Sequence, residues 1–301
     1  RLYPKTPWER YISGVTRQLK RPLAMKLSDY EFNIDPDFLP PESLWLAVEP
    51  LLPEEPPKPK GGRPRMPNRQ AFFAMFYLLR TGCQWNALPR QLGASSTVHD
   101  RFQAWRRDGV FEALWTTGLL QYHTDIGLDV EWQSLDGCIT KAPLGGEATG
   151  PNPTDRGKSG TKRHLLTEAA GMPIGLVVTG ANRHDKTQVE AVFESMPLVP
   201  PVASAEQPQH FCADKGYDFR DVRSTVGFMQ MIDHIKSRGE ERSALRLPGY
   251  RARRWVCERT HSWMNRFRRV LIRWEKKLDN FLAFLHLACS FIVWRNCPVF
   301  G

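Results

Sequence analysis

Closely spaced cysteine pairs and long apolar runs are both missing from this sequence. Its 6 cysteines include no C-x-x-C pair, so neither a zinc ribbon nor a compact disulfide framework is expected, and a reducing compartment fits. The most apolar stretch, residues 281–294, is interrupted by His286 and Ser290 and is shorter than the roughly 18 to 20 residues of a membrane span. No signal-peptide pattern opens the sequence. We therefore expect a cytoplasmic protein that binds no membrane.

The sequence contains fewer acidic than basic residues. The chain of 301 residues has 42 Lys and Arg against 32 Asp and Glu, a formal net charge of +10, and a pI near 9.5. An excess of positive charge favours partners with many negative charges, of which nucleic acid is the first candidate. A generally basic soluble protein is the alternative. The 41% hydrophobic and 25% charged residues are typical of a globular protein rather than a disordered or fibrous one.

The first 125 residues have mainly helical patterns. Residues 1–36 mix basic, aromatic and proline residues without a period, which predicts an arm. Residues 53–67 are rich in Pro and Gly and are expected to form a loop. Short helices joined by a tight glycine-containing turn predict a helix-turn-helix-like module over residues 37–125, used for DNA binding or for dimerisation. Three segments have the apolar spacing or capping of a helix: 41–52, 69–80 and 97–107.

Basic residues of this module are candidate DNA contacts. Arg63 and Arg65 belong to the cationic stretch 58–65, which can follow a row of phosphates. Arg106 lies on the second basic helix, whose cationic side enters a major groove if the module binds DNA. A solvated basic linker and a helical bundle that serves packing or dimerisation are the alternatives.

From residue 130 the pattern changes to strands that alternate with helices. Asp185 is expected to cap a helix, with Gln188 at the capping-box position. Three consecutive strands followed by crossovers predict an α/β (α+β) mixed sheet with a ribonuclease-H-like catalytic core over residues 130–301. The predicted strands are 130–140, 164–169, 173–180, 210–213 and 228–235, and the predicted helices are 186–196, 219–227, 251–275 and 279–296.

Three acidic residues, Asp136, Asp214 and Glu258, are candidate catalytic groups. Each has an ordinary explanation: an Asp-Gly hairpin turn, a loop, and an ion pair with Arg254 on a helix. In the predicted strand order, however, the first and fourth strands are neighbours, and ligands bind at the carboxyl ends of strands in such sheets. Two converging carboxylates repel unless a cation neutralises them. The pattern thus predicts a divalent metal, with Glu258 as a third ligand.

Oxygen ligands favour Mg²⁺ or Mn²⁺ over zinc. Two such ions about 4 Å apart activate an attacking water or 3′-hydroxyl and stabilise the leaving oxygen of a phosphodiester. The expected chemistry is phosphoryl transfer.

The surroundings of Glu258 concentrate the positive charge. Residues 251–277 contain ten cations and two acids, which accounts for +8 of the net charge of +10. Helical spacing places Arg254, Glu258, His261 and Asn265 on one face. Trp255 offers a ring for unpaired bases, although packing on the sheet is the alternative. We expect DNA contacts here from Arg254, Trp255, His261, Asn265, Arg268 and Arg269.

Over about residues 40–297 the sequence resembles the insertion-sequence-five-like branch of bacterial DDE transposases. The matching segments occur in the family's order, which makes the resemblance specific. These segments are 62–65, 79–89, 135–137, 157–162, 213–218 and 255–259.

The resemblance implies that Asp136, Asp214 and Glu258 form the DDE triad and bind two Mg²⁺ (or Mn²⁺) ions. It implies that the partners are DNA, as terminal inverted repeats and target, and a second copy in a homodimer, at the bacterial nucleoid. The expected reaction is cleavage of the insertion-sequence ends and their joining to target DNA by transesterification. A domesticated DNA-binding protein without turnover and a metal-dependent nuclease lacking strand transfer are the alternatives.

The resemblance also suggests DNA contacts. Arg254 stands as the basic residue four before the glutamate, and Lys158 and Lys162 of segment 157–162 are expected to contact DNA. The signature Y-x-x-R-x-x-x-E-x-x-x-x-x-x-K is incomplete, with Arg251 in place of Tyr and Asn265 in place of Lys. We expect Arg268 or Arg269 to compensate.

Overall fold

Four helices form the amino-terminal part of the structure, a computed structural model that describes residues 34–55, 57, 59, 61–62, 64–237, 240 and 253–297. Arg63 and all but the last three residues of the predicted arm lie outside the described residues. The described residues of the segment 53–67 contain no helix or strand, as its Pro and Gly content predicts. The next helix begins at Asn68. The helices are α1 (Glu42–Val48), α2 (Asn68–Thr81), α3 (Ser95–Arg107) and α4 (Val110–Asp125).

The three helices predicted from the sequence are present, and α4 adds a fourth. Helix α2 ends at Gly82, whose φ of 66° is left-handed. A side chain there would meet Arg268, because an added Cβ would lie 2.8 Å from the Cβ of Arg268. The glycine therefore ends the helix and also lets distant parts of the chain approach closely.

A mixed sheet follows, as the sequence predicts, with six strands instead of the five predicted. Its strand order is β2-β3-β1-β5-β6, with β4 also paired to β3. The pairs β1–β3 and β3–β4 are antiparallel, whereas β1–β5 and β5–β6 are parallel. Strands β1 and β5, which correspond to the first and fourth predicted strands, are therefore neighbours, as predicted. The strands are β1 (Trp132–Lys141), β2 (Gly150–Pro151), β3 (Ser159–Thr167), β4 (Pro173–Gly180), β5 (His210–Cys212) and β6 (Ile232–Asp233).

Two strand predictions have the wrong bounds. Strand β3 begins at Ser159, five residues before the predicted start, because Lys162 and Arg163 are polar yet buried and hide the alternation on which the prediction depends. Strand β6 has only two residues instead of the predicted eight. Helix α5 (Val189–Glu194) lies between β4 and β5, and helix α6 (Arg220–Phe228) lies between β5 and β6. Helix α6 includes the first residue of the predicted strand, and Gln230, with φ 59°, turns the chain before the strand.

The long helix predicted over 251–275 is divided. Its described residues form α7 (Trp255–Met264) and the single turn α8 (Arg268–Leu271), with α9 (Leu278–Arg295) after an extended stretch. The division has a packing cause. The buried guanidinium of Arg163 donates to Asn265 Oδ1 (2.8 Å) and to the carbonyl of Val270 (3.4 Å), so the chain turns around this side chain.

Helix α9 joins the two parts of the chain. Asp279 at its start pairs with Arg106 of α3 at 2.6 Å. One cluster of buried apolar residues extends from Leu44 to Cys297, so the helices and the sheet share a core. By length and composition α9 is apolar enough to cross a membrane, but 61% of it is buried within the protein, as in a core helix of a globular protein.

Candidate functional site

Asp136 lies in the middle of β1 and is half-buried. Its Oδ1 accepts a hydrogen bond of 2.8 Å from the backbone N–H of Gly137. Burial, together with the negative charges of Asp214, Glu258 and Asp185, raises the pKa of Asp136 to about 6, although the hydrogen bond from the Gly137 N–H lowers it. Four carboxylates therefore act on one another across this point of the sheet.

The strand pairing explains why Asp136 and Asp214 meet. Ser134 on β1 pairs with Cys212 on β5 in parallel register. Each aspartate follows two residues later, and residues two apart face the same side of a strand. Beyond the end of β5, Asp214 begins a short turn in which its Oδ1 accepts from Gly216 N–H at 2.8 Å.

Helix α7 brings Glu258 to the same face. The helix lies against the sheet through Cys257, whose thiol donates to Leu165 O (3.1 Å), and Thr260, whose hydroxyl donates to Gly171 O (2.7 Å). Glu258 stands in the first turn of α7 and is exposed. Its Oε1 lies 3.5 Å from Arg254 Nε, one turn earlier.

Each of the three carboxylates is thus satisfied by a nearby donor of its own. In the part of the chain that the structure describes, no group of three or more His, Cys, Asp and Glu side chains is close enough to hold a metal ion. The predicted gathering within metal-bridging reach is therefore not preformed. The donor set of three carboxylates still fits a hard divalent cation, because a cation relieves the repulsion that raises the pKa of Asp136.

A second polar cluster lies beside Asp136. The carboxylate of Asp185 lies 3.1 Å from Lys162 Nζ and 3.4 Å from Nδ1 of His164, two residues on the neighbouring strand β3. Burial lowers the pKa of His164 to about 4, so its ring is neutral at physiological pH. The sequence signal for this cluster is the polar alternation of β3, which the shorter predicted strand left out.

The predicted cap role of Asp185 is wrong. His184 is the cap of this turn, and its Nδ1 accepts from the backbone N–H of Lys186 at 3.3 Å. Asp185 instead points to the sheet, where its Oδ1 occupies the space that a Cβ on Gly137 would need.

Gly137→Ala is expected to reduce the DNA strand cleavage that the resemblance implies by about a hundredfold, because the methyl group forces Asp185 and the neighbouring Asp136 backbone apart. The rate is measured on a DNA substrate in the presence of Mg²⁺. Gly227→Ala in α6 is the matched control, since nothing lies within 4 Å of its added Cβ. Equal rates for the two variants would contradict this packing.

Burial argues against three of the predicted DNA contacts, Lys162, His261 and Arg269. Lys162 is 7% exposed and also donates to Arg183 O at 3.0 Å. His261 is 5% exposed, with Nε2 3.4 Å from the carbonyl of Asp136. Arg269 is 4% exposed and pairs with Glu275. Asn265 follows the end of α7, is half-buried, and accepts a hydrogen bond from Arg163. The prediction placed His261 on one exposed face with Glu258, but Glu258 is exposed whereas His261 is buried beside the carbonyl of Asp136.

The other predicted contacts lie at the surface. Lys158 and Arg268 are exposed, and Arg254 is half-buried. The ring of Trp255 is 40% exposed and lies 4.7 Å from the guanidinium of Arg259, which is equally far from the ring of Trp263. In the helical part, Arg65 pairs with Glu55 at 3.6 Å and Arg106 pairs with Asp279, so these two cations are partly neutralised within the protein.

The buried ring of His261 makes stability sensitive to acid. Burial, together with the charge of Arg163, lowers its pKa to about 3, against about 6.5 in an unfolded chain. The unfolded state therefore binds the proton first, and the contribution of His261, complete above pH 6.5, is lost as the pH falls. Relative to His261→Gln, the free energy of unfolding should fall by about 3 kcal/mol between pH 6.5 and pH 4. Urea unfolding at several pH values measures the free energy of unfolding of both proteins. The same change with pH in the wild type and in His261→Gln would contradict the prediction.

Comparisons with known proteins identify the family of the chain. Residues 41–115 match the family model "Putative transposase of IS4/5 family", and residues 122–293 match the model "Transposase DDE domain". The "Putative transposase for insertion sequence element IS402" of Burkholderia cepacia is 38% identical over 150 residues, 49% of this chain and 69% of that protein. The corresponding protein of element IS6501 from Brucella ovis is 27% identical over 135 residues, 44% and 96% of the two chains.

Among solved structures, the catalytic domain of Mos1 mariner transposase aligns with 63% of this chain and 92% of its own, at 11% identity and a TM-score of 0.27. That similarity is too low to carry an argument. The match to the DDE domain, by contrast, extends over more than half of the chain. DDE transposase domains generally depend on divalent metal. The chain belongs to the transposase DDE domain family and is an insertion-sequence DDE transposase.

Proposed function

We propose that this transposase cleaves the ends of its insertion sequence and joins them to target DNA with Asp136, Asp214 and Glu258 as the acidic triad. The observation that carries the proposal is the parallel register of β1 and β5, which puts Asp136 and Asp214 at corresponding positions of neighbouring strands. Helix α7, which carries Glu258 in its first turn, packs on β3 beside β1. The charges of Asp214 and Glu258 contribute to the raised pKa of Asp136.

The strand order also supports a ribonuclease-H-like core. Three antiparallel strands (β1, β3 and β4) continue into two parallel ones (β5 and β6), and a helix with the third acid lies across the sheet. The predicted separation of a helical module from this core stays a prediction.

The metal is proposed to be Mg²⁺ or Mn²⁺, as two ions held by the three carboxylates. Bound there, such ions activate the attacking oxygen and stabilise the leaving oxygen of the phosphodiester. Asp136 and Asp214 are oriented by the N–H groups of Gly137 and Gly216. Glu258 must exchange its contact with Arg254 for the metal, which leaves the guanidinium of Arg254 beside the site to bind a phosphate.

The proposed DNA path includes the half-buried Arg254 beside Glu258 and the exposed Arg268 and Lys158, with Trp255 as a ring surface for an unpaired base. Arg65 and Arg106 are proposed to contribute only where DNA replaces their acidic partners. Because two element ends are processed together, the active form is proposed to be a homodimer, at the bacterial nucleoid.

A plasmid assay tests the function. Donor DNA that carries the element ends is incubated with supercoiled target in Mg²⁺, and the joined products are sequenced. Joining supports the transposase, and its loss on chelation supports the metal. Nicking without joining would indicate a nuclease, and binding without nicking a DNA-binding protein that has lost turnover.

A further inference from the structure

Three arginines surround a small cavity outside the acidic site. The cavity has a volume of about 220 Å³ and lies where the end of α2, the turn after α7 and the end of α9 meet. Arg80, Arg266 and Arg295 come from these three places. Of the other described residues that line it, none is acidic: Trp263, Phe267, Phe291, Ile292 and Asn296.

The positive charges of this cluster are not balanced within the described residues. Arg80 is half-buried, and its Nε donates to the carbonyl of Asp37 at 3.3 Å. Arg266 and Arg295 are exposed, and within the described residues neither side chain makes a hydrogen bond or an ion pair. Burial lowers the pKa of Arg80, and the charges of Arg295 and Arg266 lower it further, although Asp37 opposes them.

The helix ends give two of these arginines an ordinary reason to be there. Arg80 and Arg295 stand in the last turns of α2 and α9, where a cation is favoured by the exposed carbonyls. That reason does not account for Arg266, which lies in a turn, or for the convergence of all three on one cavity. Like charges that converge raise the free energy of the protein unless an anion lies between them.

We propose that the Arg80–Arg266–Arg295 cavity binds a backbone phosphate of the DNA, at some distance from the phosphodiester that is cut. Guanidinium groups bind phosphate through paired N–H donors. The ring of Trp263 lines the same cavity and offers a surface to the adjoining sugar or base. This inference rests on the proposed function, because it takes DNA as the ligand.

The position along α7 gives the spacing. Helix α7 carries Glu258 in its first turn and ends at Met264, two residues before Arg266. The six residues from Glu258 to Met264 rise about 9 Å at about 1.5 Å per residue, so a phosphate in the cavity is a different one from the phosphodiester that is cut. A contact there fixes the register of the strand without touching the reacting atoms.

The test is the salt dependence of DNA binding. A fluorescent duplex of arbitrary sequence is titrated with protein in EDTA, between 50 and 200 mM salt, so that cleavage and the triad metal play no part. Loss of one phosphate contact lowers the slope of log Kd against log salt by about 0.9. For Arg266→Gln/Arg295→Gln, the increase in Kd across this salt range should therefore be about three- to fourfold smaller than for the wild type. Each single variant should give a smaller change in the same direction.

Arg220→Gln is the matched control for the single variants, since Arg220 is an exposed arginine at the start of α6, away from the cavity. A slope for the double variant equal to that of the wild type would overturn the proposal. The melting temperature in low salt without DNA is a second readout. It should not fall in the double variant, because removing two like charges relieves repulsion.

A ligand without DNA separates this inference from the proposed function. Inorganic pyrophosphate should raise the melting temperature of the wild type, and the rise should disappear in the double variant. If the wild type binds no DNA, the proposed function is wrong. The melting temperatures with pyrophosphate still test whether the cavity binds phosphate. An equal rise in wild type and double variant would show that the anion binds elsewhere and would overturn the proposal.

Discussion

Asp136→Asn is expected to lower strand cleavage and strand joining by about a thousandfold or more while DNA binding in EDTA stays at the wild-type level. An amide is a weak ligand for a hard cation, so the reaction loses the activation of the attacking oxygen. Residues that act as a unit lose most of their effect when one is removed. The measurement is the rate of plasmid cleavage and joining in Mg²⁺, with binding followed by fluorescence anisotropy.

The same substitution should stabilise the metal-free protein. The pKa of Asp136 is about 6 in the fold and about 3.9 in an unfolded chain, so the folded state binds the proton more tightly. Stability is then lost as the pH rises from about 4 to 6, by about 3 kcal/mol at most. Asparagine does not ionise and avoids this loss. At pH 7.5 in EDTA the variant should therefore melt at a higher temperature than the wild type, and Mg²⁺ should raise the melting temperature of the wild type alone.

Asp221→Asn is the control, because Asp221 is an exposed carboxylate that pairs with Lys186 at 3.1 Å. It should leave both cleavage and the response to Mg²⁺ unchanged. Full activity of Asp136→Asn would remove Asp136 from the proposed triad. A fall in stability together with activity would show instead that Asp136 supports the fold.

Much of this arrangement could be predicted from local pattern. The apolar residues of β4 and α2 predict buried elements, and both are buried over most of their length; the strand order follows from the lengths of the connections. Asp136 and Asp214 could be paired because residues at corresponding positions of neighbouring strands face the same way.

The second cluster could not be predicted in the same way. Asp185, Lys162 and His164 are ordinary polar residues in sequence, and a turn-capping role is the usual one for an Asp at a helix start. Their actual positions depend on the packing of the turn after β4 against β1, in particular on the missing side chain of Gly137. A contact between residues about 50 positions apart has no local signature.

The burial of Arg269 and Arg273 is another feature that the sequence did not predict. The charge of residues 251–277 predicts a solvated basic face, yet Arg269 and Arg273 are 4% and 1% exposed. Arg273 donates to the carbonyls of Glu147 (2.6 Å) and Glu275 (2.9 Å), and so connects the end of α8 to the loop before β2. Part of the positive charge near the site therefore holds the chain together and is not available to DNA.

Arg269→Met is accordingly expected to lower the free energy of unfolding by about 3 to 5 kcal/mol, because it leaves the buried carboxylate of Glu275 without its partner. Arg269 and Glu275 are both 4% exposed at the side chain and lie 2.5 Å apart, and Arg269 also donates to Cys83 O at 2.6 Å. Chemical unfolding measures the loss.

Two further variants separate this structural role from a role in DNA binding. Arg269→Met/Glu275→Leu removes both charges and should recover a large part of the lost stability. Arg268→Gln, at the exposed neighbouring position, should change stability by no more than about 0.5 kcal/mol and should weaken DNA binding. If Arg269→Met instead kept its stability and lost only DNA binding, Arg269 would lie at the surface and the buried pair with Glu275 would not exist. Adjacent arginines thus have opposite expected effects, which the sequence alone could not assign.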